Sequence, residues 1–186
     1  MKERIQKTLV FTIGHSTRPV SEFIEIIKTY KIKEVVDIRT IPKSRHNPQF
    51  NEDTLRESLK TAKIRYLHVK GLGGLRHALK NSPNMGWRNA SFRGFADYMQ
   101  AEEFEESLAK LIEAAENRAT VIMCAEAVPW RCHRSLIGDA LLIRGVQVRH
   151  IMSASSSREH TLTPWARVKG TKITYPPELM IPQPSQ

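Results

Sequence analysis

The segment CAEAVPWRCHR (124–134) gathers many of the side chains in this sequence that could do chemistry. Cys124 follows an apolar run at 120–123 that is typical of a buried strand. A thiol at a strand end, close to a helix N-terminus and to arginines, would have its thiolate stabilised and could act as a nucleophile. The alternative is a small buried hydrophobic residue. Glu126 shares that side of an extended chain, so it is a candidate general acid or base, or the partner of an arginine.

An anion site is predicted where this segment enters a helix. Cys132, His133 and Arg134 are expected in the first helical turn, where free backbone N–H groups and the helix dipole favour negative charge. Arg131 or Arg134 would add a charge-assisted hydrogen bond. The alternative is that both arginines are solvated at the helix end.

Zinc is a second ligand to consider for this segment. Cys124, Cys132, His133 and the distant His15 all carry ligand types that zinc accepts. Adjacent residues on a helix point in different directions, however, and the spacing C-x7-C-H matches no common zinc pattern. The sequence therefore predicts no metal and no cofactor.

Further candidates follow two other predicted strands. His15 and Ser16 suggest a base or a phosphate contact, and Asp37 with Arg39 suggests a pair that orients a ligand. The alternative for both pairs is a buried hydrogen-bonded network that only supports the loops.

Two loops add basic and aromatic side chains. Ser44 and Arg45 have the composition of an anion contact, although a flexible basic loop fits equally well. In the glycine-rich stretch 70–94, Trp87 could stack on a base and Arg93 could contact an anion. The aromatic residues could as easily pack this long loop onto the core.

These candidates need a scaffold that brings strand ends together. Apolar and alternating runs predict strands near 7–13, 34–39, 63–69, 120–124 and 146–151. Helical patterns separate them, which predicts parallel strands joined by right-handed crossovers. We expect a single α/β domain over 1–186, with a mostly parallel open sheet of about five strands, helices on both faces and a C-terminal hairpin at its edge. Residues 1–6 and 177–186 are expected to be irregular tails.

Parallel pairing would collect the ionisable residues at one edge of this sheet. The predicted strands end at GHS (14–16), DIR (37–39), GLG (71–73), CAE (124–126) and His150. Ligands of open α/β sheets bind outside the carboxyl ends of the strands. We therefore expect one shared crevice there.

The composition favours an anionic partner. The 186 residues include 29 Lys or Arg against 19 Asp or Glu, for a net charge of +10. Such a balance suggests an anionic small molecule or nucleic acid, although a basic surface also serves solubility. With only two cysteines a disulfide framework is excluded and a cytoplasmic location is expected. No membrane association is expected, because no apolar run approaches the roughly 20 residues of a membrane span and the polar start does not match a signal peptide.

Several segments together resemble one protein family. They are TIGHS (12–16), VVDIRTIPKSRHNPQF (35–50), SPNMGWRNASFRGFADYM (82–99), CAEAVPWRCHR (124–134) and LTPWARV (162–168). They look like the bacterial and archaeal family known as domain of unknown function four hundred and eighty-eight. The resemblance implies a small single-domain α/β protein and assigns no reaction. It also implies a common site, without roles, at His15, Ser16, Asp37, Arg39, Pro42, Ser44, Cys124, Glu126, Cys132, His133 and Arg134.

The architecture is also similar, more distantly, to rhodanese-like sulfurtransferases, in which backbone amides cradle a persulfide or oxyanion on a cysteine. The shared features are an Asp-x-Arg at one strand end and a strand that ends in Cys before a loop with Arg. The loop departs from that pattern, since no glycine lies between Cys124 and Arg131 and Glu126 would repel an anion. It is also one residue longer than the Cys-x5-Arg loop of cysteine phosphatases.

Three functions are therefore weighed. The first is an enzyme that binds a nucleotide or nucleic acid at the C-terminal edge of the sheet and acts by hydrolysis or group transfer. Arg134 would hold the anion, Glu126 or Asp37 would be the acid or base, and Cys124 or His15 would act on the substrate. The second is a non-catalytic nucleic-acid-binding module. The third is rhodanese-like sulfur transfer or other thiol chemistry at Cys124.

Overall fold

The computed structural model describes residues 7–177. Its strands are β1 (Leu9–Gly14), β2 (Glu34–Asp37), β3 (Arg65–His68), β4 (Thr120–Cys124), β5 (Gln147–Ile151), β6 (Ser157–Glu159), β7 (Arg167–Lys169) and β8 (Lys172–Thr174). Its α-helices are α1 (Val20–Thr29), α2 (Glu52–Thr61), α3 (Ala90–Tyr98), α4 (Glu102–Asn117) and α5 (Arg134–Leu142). The predicted tail 1–6, and all but the first residue of the predicted tail 177–186, lie outside the described residues.

The main sheet confirms the predicted α/β class. Six strands pair in the order β3-β2-β4-β1-β5-β6. The first five are parallel, and only β6 is antiparallel to its neighbour β5. The alternation of apolar and polar residues could not reveal β6, because it is three residues long and follows a serine-rich loop.

Helices cover both faces of this sheet, as predicted. On one face, α1 and α2 place residues such as Phe23 and Leu55 against Val35 and Val121. On the other, α3, α4 and α5 pack against Val36 and neighbouring strand residues. Successive residues of β2 thus belong to opposite cores, which is the pattern expected for a strand buried on both faces.

The predicted C-terminal hairpin is present as β7 and β8, with Gly170 at a positive φ of 61° in its turn. It forms a two-stranded sheet of its own, and β6 is the edge strand of the main sheet. A hairpin only three residues deep can pack on the core without joining the ladder, which the sequence pattern does not distinguish.

The long loop expected at 70–94 is shorter in the structure. The helix α3 begins at Ala90, because the side chain of Asn89 accepts hydrogen bonds from the backbone N–H groups of Ser91 and Phe92. Asparagine is one of the favoured N-cap residues. Gly94, which suggested a loop, lies inside this helix and packs against the backbone of Arg76 and His77, where a Cβ would not fit.

Membrane association was not expected. Among residues 7–177, no helix is both long enough and apolar enough to cross a bilayer.

Candidate active site

The strands β1 and β4 lie side by side, and the chain leaves them in opposite directions. From β1 it crosses over β4 to reach β2, and from β4 it crosses over β1 to reach β5. Such a switch point opens a crevice between the two loops at the carboxyl edge of a sheet. The backbone pairing continues into these loops, with N–H groups of His15 and Ser16 donating to the carbonyls of Cys124 and Ala125 at 2.9 Å each.

A cleft lies at this point and has two adjoining compartments. The basic compartment, of about 360 Å³, is lined by His15, Arg39, Lys43 and Ser44 among others. The thiol compartment, of about 390 Å³, is lined by Asn89, Glu126, Arg131 and Cys132 among others. Gly74, Cys124, Ala125 and His133 line both compartments. We refer to the two together as the switch-point cleft.

Gly14 sets how closely the two loops approach. A Cβ at this position would overlap the carbonyl oxygen of Glu126. A glycine is therefore required at the end of β1 for the loop that follows β4 (residues 125–133, the β4 loop) to lie where it does. The TIGHS motif thus contains a packing requirement next to its candidate histidine.

Asp37 holds Arg39 in a fixed position. Its Oδ1 accepts from the backbone N–H of Arg39 at 3.0 Å and from Nε at 2.9 Å, and its Oδ2 accepts from Nη2 at 2.6 Å. The hydroxyl of Tyr66 donates to the same Oδ2 at 2.8 Å. Asp37 is fully buried, so its carboxylate has no room for a substrate. These contacts match the alternative given for Asp37, a buried network residue that orients Arg39.

His15 is a buried neutral base. Its ring stacks on Phe50 with the centroids 4.1 Å apart. Nδ1 lies 2.7 Å from the carbonyl oxygen of Ser16 and so carries the proton, which leaves Nε2 facing Nη1 of Arg39 at 3.4 Å. Burial lowers the pKa of His15 to about 4.

The two cysteines meet at the junction of the compartments. The neighbouring thiol of Cys132, together with burial, raises the pKa of Cys124 above its ordinary value. The thiol of Cys124, with His133 and Arg134 nearby, lowers the pKa of Cys132. The thiolate that we expected at Cys124 is therefore favoured at Cys132, which the sequence analysis had considered only as an anion contact or zinc ligand.

Arg134 is buried beneath the β4 loop and is only 1% exposed. One Nη donates to the carbonyl oxygen of Glu126 at 2.5 Å, and Nε lies 3.4 Å from Sγ of Cys132. Backbone carbonyls and a sulfur accept from this guanidinium, so the predicted contact with an external anion would require some of these hydrogen bonds to break. In this structure the guanidinium holds the backbone of the β4 loop in place.

The helical placement of Cys132 and His133 is also corrected. Pro129–Arg131 form a 3₁₀ turn, Cys132 is extended (φ −132°, ψ 144°), and α5 begins only at Arg134. Because neither residue lies inside the helix, their side chains do not diverge. The Sγ of Cys132 lies 3.7 Å from Nδ1 of His133.

Comparison with known protein families gives a match over most of the chain. The family model described as "Domain of unknown function DUF488" matches residues 19–141, about two thirds of the chain. The protein belongs to the DUF488 family. No curated protein and no solved structure matches the chain.

The matched range contains most of the cleft of this DUF488 protein. It includes Asp37, Arg39, Ser44 and the segment 124–134, whereas β1, with His15 at its end, lies before it. The resemblance stated from the motifs is therefore confirmed at the level of the family, and the family description assigns no reaction.

The remaining candidates in the DUF488 chain lie at or beyond the rim of the cleft. Ser16 takes a positive φ of 52° in the β1 loop. The hydroxyl of Ser44 accepts from the backbone N–H of Asn47 at 3.0 Å. Arg131 is exposed and lines the thiol compartment. Arg45 is also exposed, but it lines neither compartment.

Trp87 and Arg93 line neither compartment of the switch-point cleft. The indole of Trp87 packs against Phe92, Trp165 and Tyr175, with centroids 4.9, 5.1 and 5.4 Å apart. Nη1 of Arg93 contacts Sδ of Met85 at 3.0 Å. Of the two interpretations given to Trp87, this packing matches the one in which it fixes the loop to the core.

A chain of buried polar groups follows β5, outside the cleft. His150 Nδ1 lies 2.7 Å from the hydroxyl of Thr12, and Nε2 lies 2.9 Å from Nδ1 of His160. His160 Nε2 is 2.9 Å from Oδ1 of Asp139, whose Oδ2 accepts from Tyr175. A carboxylate only accepts, so each imidazole donates from Nε2 towards Asp139. His150, expected in the shared crevice, belongs instead to this separate network.

The site residues that the sequence analysis did not single out include Lys43, Gly74 and Tyr66. Lys43 sits in the basic loop whose neighbours Ser44 and Arg45 were singled out, so composition alone could have included it. Gly74 lies in a run of glycines, which indicated a loop without indicating contact with His133. Tyr66 carried no signal, because it occupies an ordinary position in an alternating strand.

Proposed function

We propose that this protein is an enzyme that binds a small phosphate-bearing molecule of nucleotide size in the switch-point cleft and acts on it by hydrolysis or group transfer. The observation that carries the proposal is the charge of the lining. The two compartments present the cationic side chains Arg39, Lys43 and Arg131 and one carboxylate, Glu126. An excess of cations at a switch point favours an anion.

Arg39 is the principal phosphate ligand in this proposal. It is only 6% exposed, and Asp37 fixes its guanidinium before any ligand arrives. Asp37 and the carbonyl of Phe50 occupy Nε and Nη2, which leaves Nη1 to donate to a phosphate oxygen. A preorganised guanidinium loses little conformational entropy on binding, and its charge strengthens that hydrogen bond. Lys43, at the rim of the same compartment, supplies a second and more mobile charge.

Glu126 is the acid or base in this scheme. Its side chain is exposed at the thiol compartment, and within residues 7–177 no hydrogen bond or ion pair to its carboxylate is present. Asp37, the other carboxylate considered, is occupied by Arg39 and Tyr66. His15 remains neutral around pH 7, so it can accept a proton only if Arg39 moves away from Nε2.

The size of the cleft favours a small molecule over a nucleic-acid strand. Ligand pockets for small molecules typically measure roughly 300–1,000 Å³, and each compartment here is within that range. A nucleic-acid-binding module would be expected to use a longer basic groove, with affinity that falls steeply as salt rises. If substitutions in the cleft leave the affinity for oligonucleotides unchanged, that result would therefore support the non-catalytic alternative.

The test is calorimetric titration of inorganic phosphate and the four ribonucleoside monophosphates into the wild type, Lys43→Ala and Lys60→Ala. Lys43 is exposed, so its loss should leave the fold intact and weaken binding by about tenfold, the value of one charge-assisted hydrogen bond. Lys60, on the surface of α2, is the matched control and should change little. No binding by any of the five ligands, or equal effects of the two lysines, would refute the proposal.

Catalysis is tested separately with Glu126→Gln. Phosphatase, phosphodiesterase and nucleotidase substrates are screened with the wild type, and any turnover is compared with that of the variant. We expect binding to be retained and turnover to fall by about 100-fold or more, the usual contribution of a general acid or base. Turnover unchanged by Glu126→Gln would remove this residue from the mechanism.

A further inference from the structure

Two cysteines and a histidine lie together in the wall of the thiol compartment. One ligand atom from each of Cys124, Cys132 and His133 lies within 4.8 Å of the other two. We infer that these three side chains bind one zinc ion. This inference goes beyond the proposed function and does not depend on it, because it rests only on the cluster itself.

The spacing of the cluster is close to that of a tetrahedral site. Zinc–sulfur bonds of about 2.3 Å and zinc–nitrogen bonds of about 2.0 Å place tetrahedral ligand atoms roughly 3.5–3.8 Å apart. Cys132 Sγ and His133 Nδ1 already lie 3.7 Å apart. The other two sides of the triangle are at most about 1 Å longer than this, which is a small adjustment for side chains that can rotate about their χ angles.

The local backbone explains why adjacent residues can share one ion. Cys132 is extended and His133 is the residue that precedes the first turn of α5. The N–H of Cys132 is bound by the carbonyl of Pro129 at 3.0 Å, so the 3₁₀ turn fixes the direction of the thiol. Cys124 arrives from the end of β4. A strand end and a helix entrance thus supply the ligands from two rigid elements, as stable metal sites require.

The ring of His133 packs against Phe95, with centroids 4.9 Å apart, and its hydrogen-bond contact among the described residues is with the thiol of Cys132. Its Nε2 is buried and has no hydrogen-bond partner among the described residues. By contrast, both ring nitrogens of His150 and His160 are engaged in the chain that ends at Asp139. An imidazole whose only polar contact is with a thiol is placed as a metal ligand would be.

The surroundings suit two thiolates and a divalent ion. Nε of Arg134 lies 3.4 Å from Sγ of Cys132, an N–H···S contact of the kind that orients and tunes a ligating sulfur. Gly74 leaves space beside the imidazole, since a Cβ there would stand 2.5 Å from Nδ1 of His133. Soft sulfur ligands select zinc over magnesium or calcium.

Within residues 7–177 the cluster offers three ligands. Zinc sites with three protein ligands hold a water or a substrate atom in the fourth position. All three residues line the switch-point cleft, so a molecule bound there could take that position.

The first experiment measures metal content by mass spectrometry after purification under reducing conditions, with a tag other than polyhistidine. We expect about one zinc per chain. Cys124→Ser, Cys132→Ser and His133→Gln should each lower zinc affinity at least tenfold. His77→Gln, which changes an exposed histidine, is the matched control and should retain full loading.

A second measurement needs no variant and so is independent of folding defects. Cobalt(II) added to the metal-free wild type should give tetrahedral d–d bands and a thiolate-to-cobalt charge-transfer band. Zinc should also protect both cysteines from iodoacetamide until a chelator is added.

Wild-type protein that binds no zinc, equal loading of the cysteine variants, or a cobalt spectrum without the charge-transfer band would refute the site. A disulfide between Cys124 and Cys132 that forms equally fast with and without zinc would refute it as well. Zinc binding without phosphate binding would leave this inference intact while the proposed function fails.

Discussion

Nη1 of Arg39 and Nε2 of His15 lie 3.4 Å apart at the base of the switch-point cleft. The two residues come from different strands, and each is held on its far side by another group. Asp37 binds the rest of the guanidinium, and the carbonyl of Ser16 fixes the opposite nitrogen of the ring. Asp37 and His15 together therefore set the position of the Arg39 guanidinium at the base of the cleft.

Asp37→Asn should destabilise the protein strongly. The substitution leaves a buried guanidinium without its counter-charge, and removing one partner of a buried ion pair costs about 3–5 kcal/mol. Urea unfolding measures the change. The control is Glu25→Gln, which breaks an exposed pair with Lys28 and should change stability by no more than about 1 kcal/mol. Similar losses in the two variants would contradict the role given to Asp37.

Arg134→Lys should also destabilise, by about 1–3 kcal/mol, although it conserves charge. A lysine ammonium lacks the planar fork that reaches the carbonyl of Glu126 and the sulfur of Cys132 together, so a buried acceptor is left unpaired. Arg131→Lys, three residues away and exposed, should change stability by about 0.5 kcal/mol or less. An Arg134→Lys protein as stable as the wild type would show that the loop does not need this fork.

Gly14→Ala should destabilise by about 1–3 kcal/mol or more, because the added methyl group overlaps a backbone carbonyl that cannot rotate away. Gly71→Ala is the matched comparison. There the nearest atom is the hydroxyl of Ser107, which can turn to another rotamer, so the cost should be smaller. The two unfolding free energies, measured side by side, give the answer, and a reversed order would contradict the packing described for the β1 loop.

Stability should fall as the pH drops below about 6.5. Burial lowers the pKa of His150 to about 3 and that of His15 to about 4. The unfolded chain takes up protons near the ordinary pKa of about 6.5, whereas the folded protein does not, so acid favours unfolding across the window between these values. The free energy of unfolding should decrease by about 1.4 kcal/mol per pH unit for each histidine.

His150→Gln tests this pH dependence. Urea unfolding between about pH 7 and pH 5, above the range where most carboxylates titrate, should show about half of the wild-type slope. The surface substitution His77→Gln serves for comparison and should leave the slope as in the wild type. A His150→Gln protein with the full slope would assign the acid sensitivity to other groups.

The strands were the most predictable part of this fold. Val35, Val36, Val121 and Ile122 are buried on both sides of the sheet, and continuous apolar runs of this kind report burial directly. Once the strands are parallel, their carboxyl ends must share an edge, which is why His15, Arg39 and Cys124 could be placed in one crevice before their distances were known.

The roles within the crevice depended on contacts that sequence does not encode locally. Asp37 and Tyr66 meet only because β2 and β3 pair in one register. Arg134 was expected to hold an anion, or else to be solvated at the helix end, because arginine is seldom fully buried, whereas packing beneath the β4 loop buries it. The cluster of Cys124, Cys132 and His133 was not expected, because the sequence pattern placed the start of the helix two residues before Arg134, whereas a 3₁₀ turn at Pro129–Arg131 precedes it.

The strand order has a consequence for how the chain is made. The hydrogen-bonded neighbours of β1 are β4 and β5, which follow it by more than one hundred residues. Since ribosomes release the N-terminus first, β1 has neither of its neighbouring strands to pair with until the chain has left the ribosome as far as Cys124. Assembly of the switch-point cleft is thus a late event in biosynthesis, and a nascent chain that stalls before that point exposes an apolar strand that chaperones would have to shield.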